Sequence, residues 1–193
     1  MKVFVSIVFL SFFLLLFGCG EKNENNMDNS SNEEQVSNSL IVSNTSHVLN
    51  VKGVLSDNNI PSFSWYDEQG KELNLESYKG KVIIINFWAT WCPPCRNEIP
   101  DFISIYNRYK SQGVEFLGIS LDSQLNLDEL ADFVAENEIN YQIILDDGNL
   151  DSAFGGVEAI PTTFIISKDF KVKAKHVGSI NEAGLEQLIK SEL

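Results

Sequence analysis

Three cysteines occur in this chain of 193 residues, and two of them stand three positions apart in Trp91-Cys92-Pro93-Pro94-Cys95. Two thiols at that spacing can exchange with a disulfide: one attacks to form a mixed disulfide, and the second displaces it. The flanking sequence suits that chemistry. Val82-Ile83-Ile84-Ile85 is a β-branched run without alternation, the pattern of a strand covered on both faces. Beyond the pair, Ile99, Phe102, Ile103, Tyr106 and Tyr109 recur at spacings of three and four, the apolar stripe of a helix that Gly113 ends. Cys92 therefore falls at a helix N-terminus, where unpaired backbone N–H groups and the helix dipole stabilise a thiolate. Such surroundings lower a thiol pKa from about 8.5 into the range of about 3.5–7.5. Pro93 at the first helical position costs little, because that N–H would be unpaired anyway. This places Cys92 as the more exposed, attacking thiol, with Cys95 one turn behind it. Half a zinc knuckle and a static disulfide share the spacing. Both are disfavoured, since no second cysteine pair exists and His47 and His176 lie far away in the chain. No metal or other cofactor is expected.

The elements that must hold the pair read as alternating strands and helices. A hairpin is expected from Phe63 to Tyr66 and Lys71 to Leu75, around Asp67-Glu68-Gln69-Gly70. The central strand and the cysteine-bearing helix follow. Then come an apolar run Phe116 to Leu121, a helix carrying Leu127, Leu130, Phe133 and Val134, a strand at Tyr141 to Leu145, and a short helix near Leu150 to Phe154. A strand at Thr162 to Ile166, a turn at Asp169, a strand at Lys171 to His176 and a closing helix with Leu185, Leu188 and Ile189 complete the order. This predicts an α/β fold with a mixed central sheet, parallel in its middle. On the last strand Val172, Ala174 and His176 share one face, so His176 is expected half-buried. Lys171, Lys173 and Lys175 face the other way, as edge protection.

The N-terminus is of a different kind. Val3 to Phe17 holds thirteen apolar residues and two serines after Lys2, too short a run for a permanent span. It reads as a signal peptide over residues 1–18. The sequence Leu16-Phe17-Gly18-Cys19 resembles a bacterial lipobox, with Phe17 where a small residue is usual, which makes Cys19 the expected lipid-attachment site. Gly20 to Ser39 contains six Asn, four Ser, four Glu and one Asp. Such composition cannot bury enough surface to offset ordering, so residues 19–57 are expected to form a lipid-anchored disordered tether with a possible extra strand near its end. The folded domain is then expected over residues 58–193. With 14 Lys and Arg against 27 Asp and Glu, the net charge is −13, which excludes nucleic acid as the default partner. Between Lys110 and Lys168 no basic residue occurs, while eleven acids run from Glu115 to Glu158. Solvated helix faces or a docking face for a basic protein account for them equally.

The stretch Asn86-Phe87-Trp88-Ala89-Thr90-Trp91-Cys92-Pro93-Pro94-Cys95-Arg96-Asn97-Glu98-Ile99-Pro100, with Gly156-Val157-Glu158-Ala159-Ile160-Pro161-Thr162-Thr163-Phe164, resembles the TlpA/ResA-like membrane-anchored thioredoxin-fold reductases. The likeness covers roughly Pro61 to Leu193 and implies a thioredoxin-like fold with an N-terminal β-hairpin. It implies that Pro161 is a cis-proline facing the cysteines, with the backbone of Ile160 free to pair with a substrate chain. Trp91 and Pro93 join these two as the expected substrate-contact residues. Thioredoxin carries a buried acid six residues before its first cysteine, whereas this chain has Asn86 there. Glu98, three residues beyond Cys95 and so on the same helix face, is the candidate for taking the Cys95 proton. A surface carboxylate favoured by the helix dipole is its alternative reading. The resemblance further implies a monomer that reduces disulfides of extracytoplasmic proteins, for example apocytochrome c, and is recharged by a membrane thiol–disulfide electron donor. A copper-binding assembly factor and a thiol peroxidase of the same fold are the rival readings. The first would want a wider cysteine spacing and the second a Thr-x-x-Cys helix start.

Overall fold

A computed structural model describes residues 41–42, 44–56, 60–67, 69–123 and 125–193. The expected signal peptide, Cys19 and the tether as far as residue 40 lie outside the described residues. The strands and helices follow in the order β1 (Ile41–Val42), β2 (Thr45–His47), β3 (Asn50–Lys52), β4 (Ser62–Tyr66), β5 (Glu72–Asn74), β6 (Val82–Trp88), α1 (Pro93–Tyr109), β7 (Val114–Ser120), α2 (Leu127–Glu136), β8 (Gln142–Leu145), α3 (Asn149–Ala153), β9 (Thr162–Ile166), β10 (Val172–Val177) and α4 (Glu182–Lys190).

The main sheet has the order β1-β2-β8-β7-β6-β9-β10, and a smaller sheet has the order β3-β4-β5. Strands β2, β8, β7 and β6 pair in parallel, and β9 and β10 add antiparallel pairs beyond β6. This is the mixed sheet expected of a thioredoxin-like α/β fold. Every residue of β6 is buried, because both faces are covered. Its alternation divides the interior. Val82, Ile84 and Trp88 pack with α1, α2 and α4, whereas Ile83, Ile85 and Phe87 pack with Phe63 and Trp65 of the small sheet and Leu150 of α3. Asn86 falls between Ile84 and Trp88, so its side chain is on the α1 side.

One boundary differs from the expectation. The tether reading extended to residue 57 with a possible extra strand near its end; β3 is such a strand and joins the hairpin, whereas β2 pairs along β8 and extends the main sheet beyond that reading. Thr45 and Ser46 are buried, and the Asn44 amide donates to the carbonyls of Ile139 at 2.9 Å and Tyr141 at 2.6 Å. The segment Asn44-Thr45-Ser46-His47 is polar and is held by backbone pairing and this amide rather than by apolar contact, so hydrophobic patterning could not reveal it. His47, read as part of the tether, is half-buried in β2. In α1 the buried stripe runs Cys95, Glu98, Ile99, Phe102, Ile105 and Tyr109, with Ile103 and Tyr106 at its margin. The helix passes through a short 3₁₀ turn into Gly113 at φ 85°, a left-handed conformation that a glycine adopts freely. His176 is half-buried, with its Nε2 3.2 Å from the Ser179 carbonyl oxygen, and shares a face with Ala174; a register shift between Val172 and Ala174 turns Val172 to the opposite face, against the strict period-two reading of β10.

Gly118 of β7 sits where the sheet has no room for a side chain. A Cβ there would meet Ile143 Cδ1 at 2.5 Å and Trp88 Nε1 at 3.1 Å, and both neighbours are locked in the core. Gly118→Ala is expected to destabilise the fold by about 1–3 kcal/mol through overpacking, read from the urea midpoint.

Candidate active site

β6 delivers the chain to the C-terminal edge of the sheet, where a turn closed by Cys92 N donating to the Ala89 carbonyl at 3.1 Å leads into α1. Cys92 is the N-cap of that helix, with extended backbone, and its Sγ accepts from Cys95 N at 3.3 Å. The sulfur thus occupies the seat of a capping oxygen, facing the positive end of the helix. Cys92 and Cys95 are joined by a disulfide with Cα atoms 5.3 Å apart. Cys92 is only 3% exposed, against 1% for Cys95, so the attacking thiol expected to be exposed is covered in the oxidised state. The cover comes from the segment leading into β9. The Ile160–Pro161 peptide is cis, as the resemblance implied, and the Ile160 carbonyl oxygen lies 3.8 Å from Cys92 Sγ. The Pro161 carbonyl accepts from Gly178 N at 2.8 Å, which ties the turn to the end of β10.

Trp91 stands beside this junction with 66% of its surface exposed. Pro93 is exposed next to it. Together with Thr90, Leu121, Asp122, Ser123 and Leu125, Trp91 lines a cleft of about 510 Å³. Its floor is set by a carboxylate that composition alone would assign to a solvated face. Asp122 is only 2% exposed and accepts from Thr90 N, Thr90 Oγ1 and Ser120 Oγ, fixing the turn that carries Trp91. Asp146 is likewise buried and accepts from the backbone amides of Leu150 and Asp151 at the start of α3. Two of the eleven acids between Lys110 and Lys168 are therefore structural, and their amide partners, being backbone, left no trace in the sequence.

Glu98 is not the surface carboxylate of its alternative reading. It is 4% exposed, packed among the apolar residues behind the disulfide. Asn86 Nδ2 donates to its Oε1 at 3.0 Å, and Ile180 N, from the segment before α4, donates to its Oε2 at 3.1 Å. Burial pushes its pKa up to about 7, the two donors pull it down, and the nearby Asp101 adds to the rise. The same Asn86 nitrogen donates at 3.0 Å to Thr163 Oγ1, its cross-strand partner in β9. Thr163 and Ile180 escape sequence reasoning, Thr163 because a threonine in an apolar strand looks like a filler, and Ile180 because it acts through its backbone. Among the described residues no group of three or more His, Cys, Asp or Glu side chains is placed to hold a metal ion.

A carboxyl whose proton affinity is higher in the folded chain than in the unfolded one stabilises the fold while it is protonated. For Glu98 that contribution is complete below about 4.5 and is lost as the pH rises to about 7. Glu98→Gln cannot titrate, so its stability is expected to gain on the parent's between about pH 5 and about pH 8. Urea unfolding at both pH values measures the difference.

Comparison with known proteins agrees with this site. Residues 57–175 match the model of the AhpC/TSA family. Thiol-disulfide oxidoreductase ResA of Bacillus thuringiensis is 35% identical over 130 residues, covering 67% of this chain and 74% of the relative. ResA of Bacillus subtilis is 32% identical over 134 residues, covering 68% and 73%. Among solved structures, a thiol:disulfide interchange protein of the thioredoxin family from Chlorobium tepidum superposes with a TM-score of 0.64 at 34% identity, covering 72% of this chain and 97% of that one. StoA from Bacillus subtilis superposes with a TM-score of 0.59 at 27% identity, covering 68% and 98%. With a cysteine pair at disulfide distance on a helix N-terminus beneath a cis-proline, the chain belongs to the AhpC/TSA family and, within it, to the ResA-like thiol–disulfide oxidoreductases.

Proposed function

We propose that the protein is a reductant of disulfides in extracytoplasmic proteins, held at a membrane by lipid on Cys19. The observation that carries the mechanism is a buried carboxylate, Glu98, one helical turn behind a disulfide whose first sulfur caps α1. In the reduced protein, the helix N-terminus favours the Cys92 thiolate. Cys92 attacks a substrate disulfide, forming one S–S bond and expelling one substrate thiolate. Cys95 then loses its proton to Glu98 and attacks Cys92 Sγ. The internal disulfide forms, the mixed disulfide breaks, and the second substrate sulfur leaves with the electron pair. Two electrons pass from the enzyme to the substrate, and the oxidised pair awaits recharging by a membrane thiol–disulfide electron donor.

The substrate chain is read as lying across Trp91 and Pro93 on one side and pairing with the backbone of Ile160, before Pro161, on the other. Exposure of Trp91 and the closeness of Ile160 to Cys92 support that reading. The family resemblance supports apocytochrome c as one such substrate, and the protein is read as a monomer. Among the described residues no helix is long and apolar enough to cross a membrane, so attachment rests on the N-terminal segment.

Two measurements test this reading. A symmetrical chromogenic aromatic disulfide releases one coloured thiolate on attack and a second on resolution, so stopped-flow absorbance separates the steps. Glu98→Gln is expected to leave attack nearly unchanged and to slow resolution, near the low end of the range of about 10²–10⁴-fold typical of general-base catalysis. Equal resolution rates in parent and variant would remove Glu98 from the mechanism.

Cys19→Ala is expected to release the protein from the membrane fraction or to stall its processing, as fractionation and mobility on gels would report. Each buried lipid CH₂ contributes about 0.8 kcal/mol, and a polar tether contributes almost none.

A further inference from the structure

Asn86 is only 6% exposed, lies on the strand leading to the cysteines and spends both hydrogens of its amide on acceptors of different elements. A buried side-chain amide with two such bonds is demanding to place, and a hydrophobic residue at this position of β6 would continue the pattern of Ile84 and Trp88. We propose that Asn86 is a positioning residue for the resolving step: its amide fixes Glu98 Oε1 against Thr163 of the substrate-facing strand and thereby holds the carboxylate ready to receive the Cys95 proton. The inference rests on the proposed role of Glu98.

The argument is one of donors. A carboxylate has about four lone-pair sites, and Glu98 receives one donor on each oxygen, from Asn86 and from Ile180 N. Lone pairs remain for an incoming proton, yet the charge is not left bare in an apolar core, which would keep the group protonated and unable to act as a base. The charged and titratable groups around Glu98 are few. On α1 they are Cys95 and Asp101, and from the chain leading into β8 Tyr141 lies close enough to have its own pKa raised by the Glu98 charge. β6 and β9 present only the uncharged Asn86 and Thr163, and the segment before α4 presents a backbone amide. No cation neutralises the carboxylate in this set, so the two donors are what keeps it ionisable near neutrality. A lysine there would hold the charge permanently and weaken the base; an amide does neither.

Asn86→Leu removes the amide donor to Glu98 while keeping the number of side-chain heavy atoms. In the full-length protein the acidic limb of the resolution rate is expected to move up by about one pH unit, because a charge-assisted hydrogen bond is lost. For a group titrating at about 7, that shift lowers the resolution rate at neutral pH roughly fivefold while the attack of Cys92 is unchanged. In a Glu98→Gln background, Asn86→Leu is expected to slow resolution no further, since there is no carboxylate left to hold. Ile165→Val, a methylene deleted from the same core, should leave the profile where it is. If Asn86→Leu does not fold, Asn86→Ala carries the same test. An unshifted profile in an Asn86 variant, alongside slow resolution in Glu98→Gln, overturns this assignment alone. A shift of the same size in Ile165→Val overturns it too, by showing that any loosening of the core suffices. Parent-like resolution in Glu98→Gln would instead remove the proposed role of Glu98 itself.

Discussion

A carboxylate placed behind a disulfide in an apolar core is costly unless donors reach it, and that requirement organises the active end of this molecule. Glu98 comes from the second turn of α1, its side-chain donor from β6 and its backbone donor from the chain entering α4. No one element supplies the site. The three must be packed to within a few tenths of an ångström before the carboxylate is tolerated. Folding of the core and placement of this carboxylate are thus one event.

The sheet makes this possible through its alternation. Along β6, one set of residues faces the small sheet and the other faces α1, so a single polar residue in the second set is aimed at the helix without any special backbone geometry. Register does the rest. Asn86 stands opposite Thr163, Phe87 opposite Thr162, and the cis peptide bond precedes Thr162 directly. The strand that covers Cys92 is therefore fixed by the same ladder that fixes the amide holding Glu98. The proposed substrate contact and the proposed proton handling would then be set by two adjacent rungs.

Much of this was legible in the sequence because it depends on pattern. The covered strand, the helix behind it and the late hairpin follow from periodicity, and the cysteine spacing with a helix start named the chemistry; the irregularity that turns Val172 away from Ala174 and His176 in β10 has no such signal. What escaped depends on backbone groups and on polar residues whose partners lie far along the chain. β2 has no apolar signature because it is held by pairing to β8 and by Asn44. The burial of Asp146 is decided by amides that any residue could supply, and that of Asp122 by the Thr90 amide together with the hydroxyls of Thr90 and Ser120. Glu98 sat on the correct helix face, but its depth could not be read until Ile180 was seen to close over it. The expectation of an exposed Cys92 failed because the Ile160–Pro161 turn before β9 lies across it.

The contacts between α1 and the C-terminal segment run along most of the helix. Ser179 Oγ donates to the Pro94 carbonyl, Ile180 N to Glu98 and Glu182 N to Asp101, and further along Ser104 and Arg108 meet Glu182 while Arg108 and Tyr109 meet Glu186. The partners on α1 advance by three or four residues at a time, so one seam of the helix is stitched from its catalytic tip to its far end. The final helix lies as a splint along the helix that carries the cysteines. Residues at the end of the chain share the mechanical frame of the cysteines, although the sequence separates them by almost ninety positions at the seam's first stitch. Anything that disturbs the last helix therefore bears on the helix that carries the thiols, because the two share this seam.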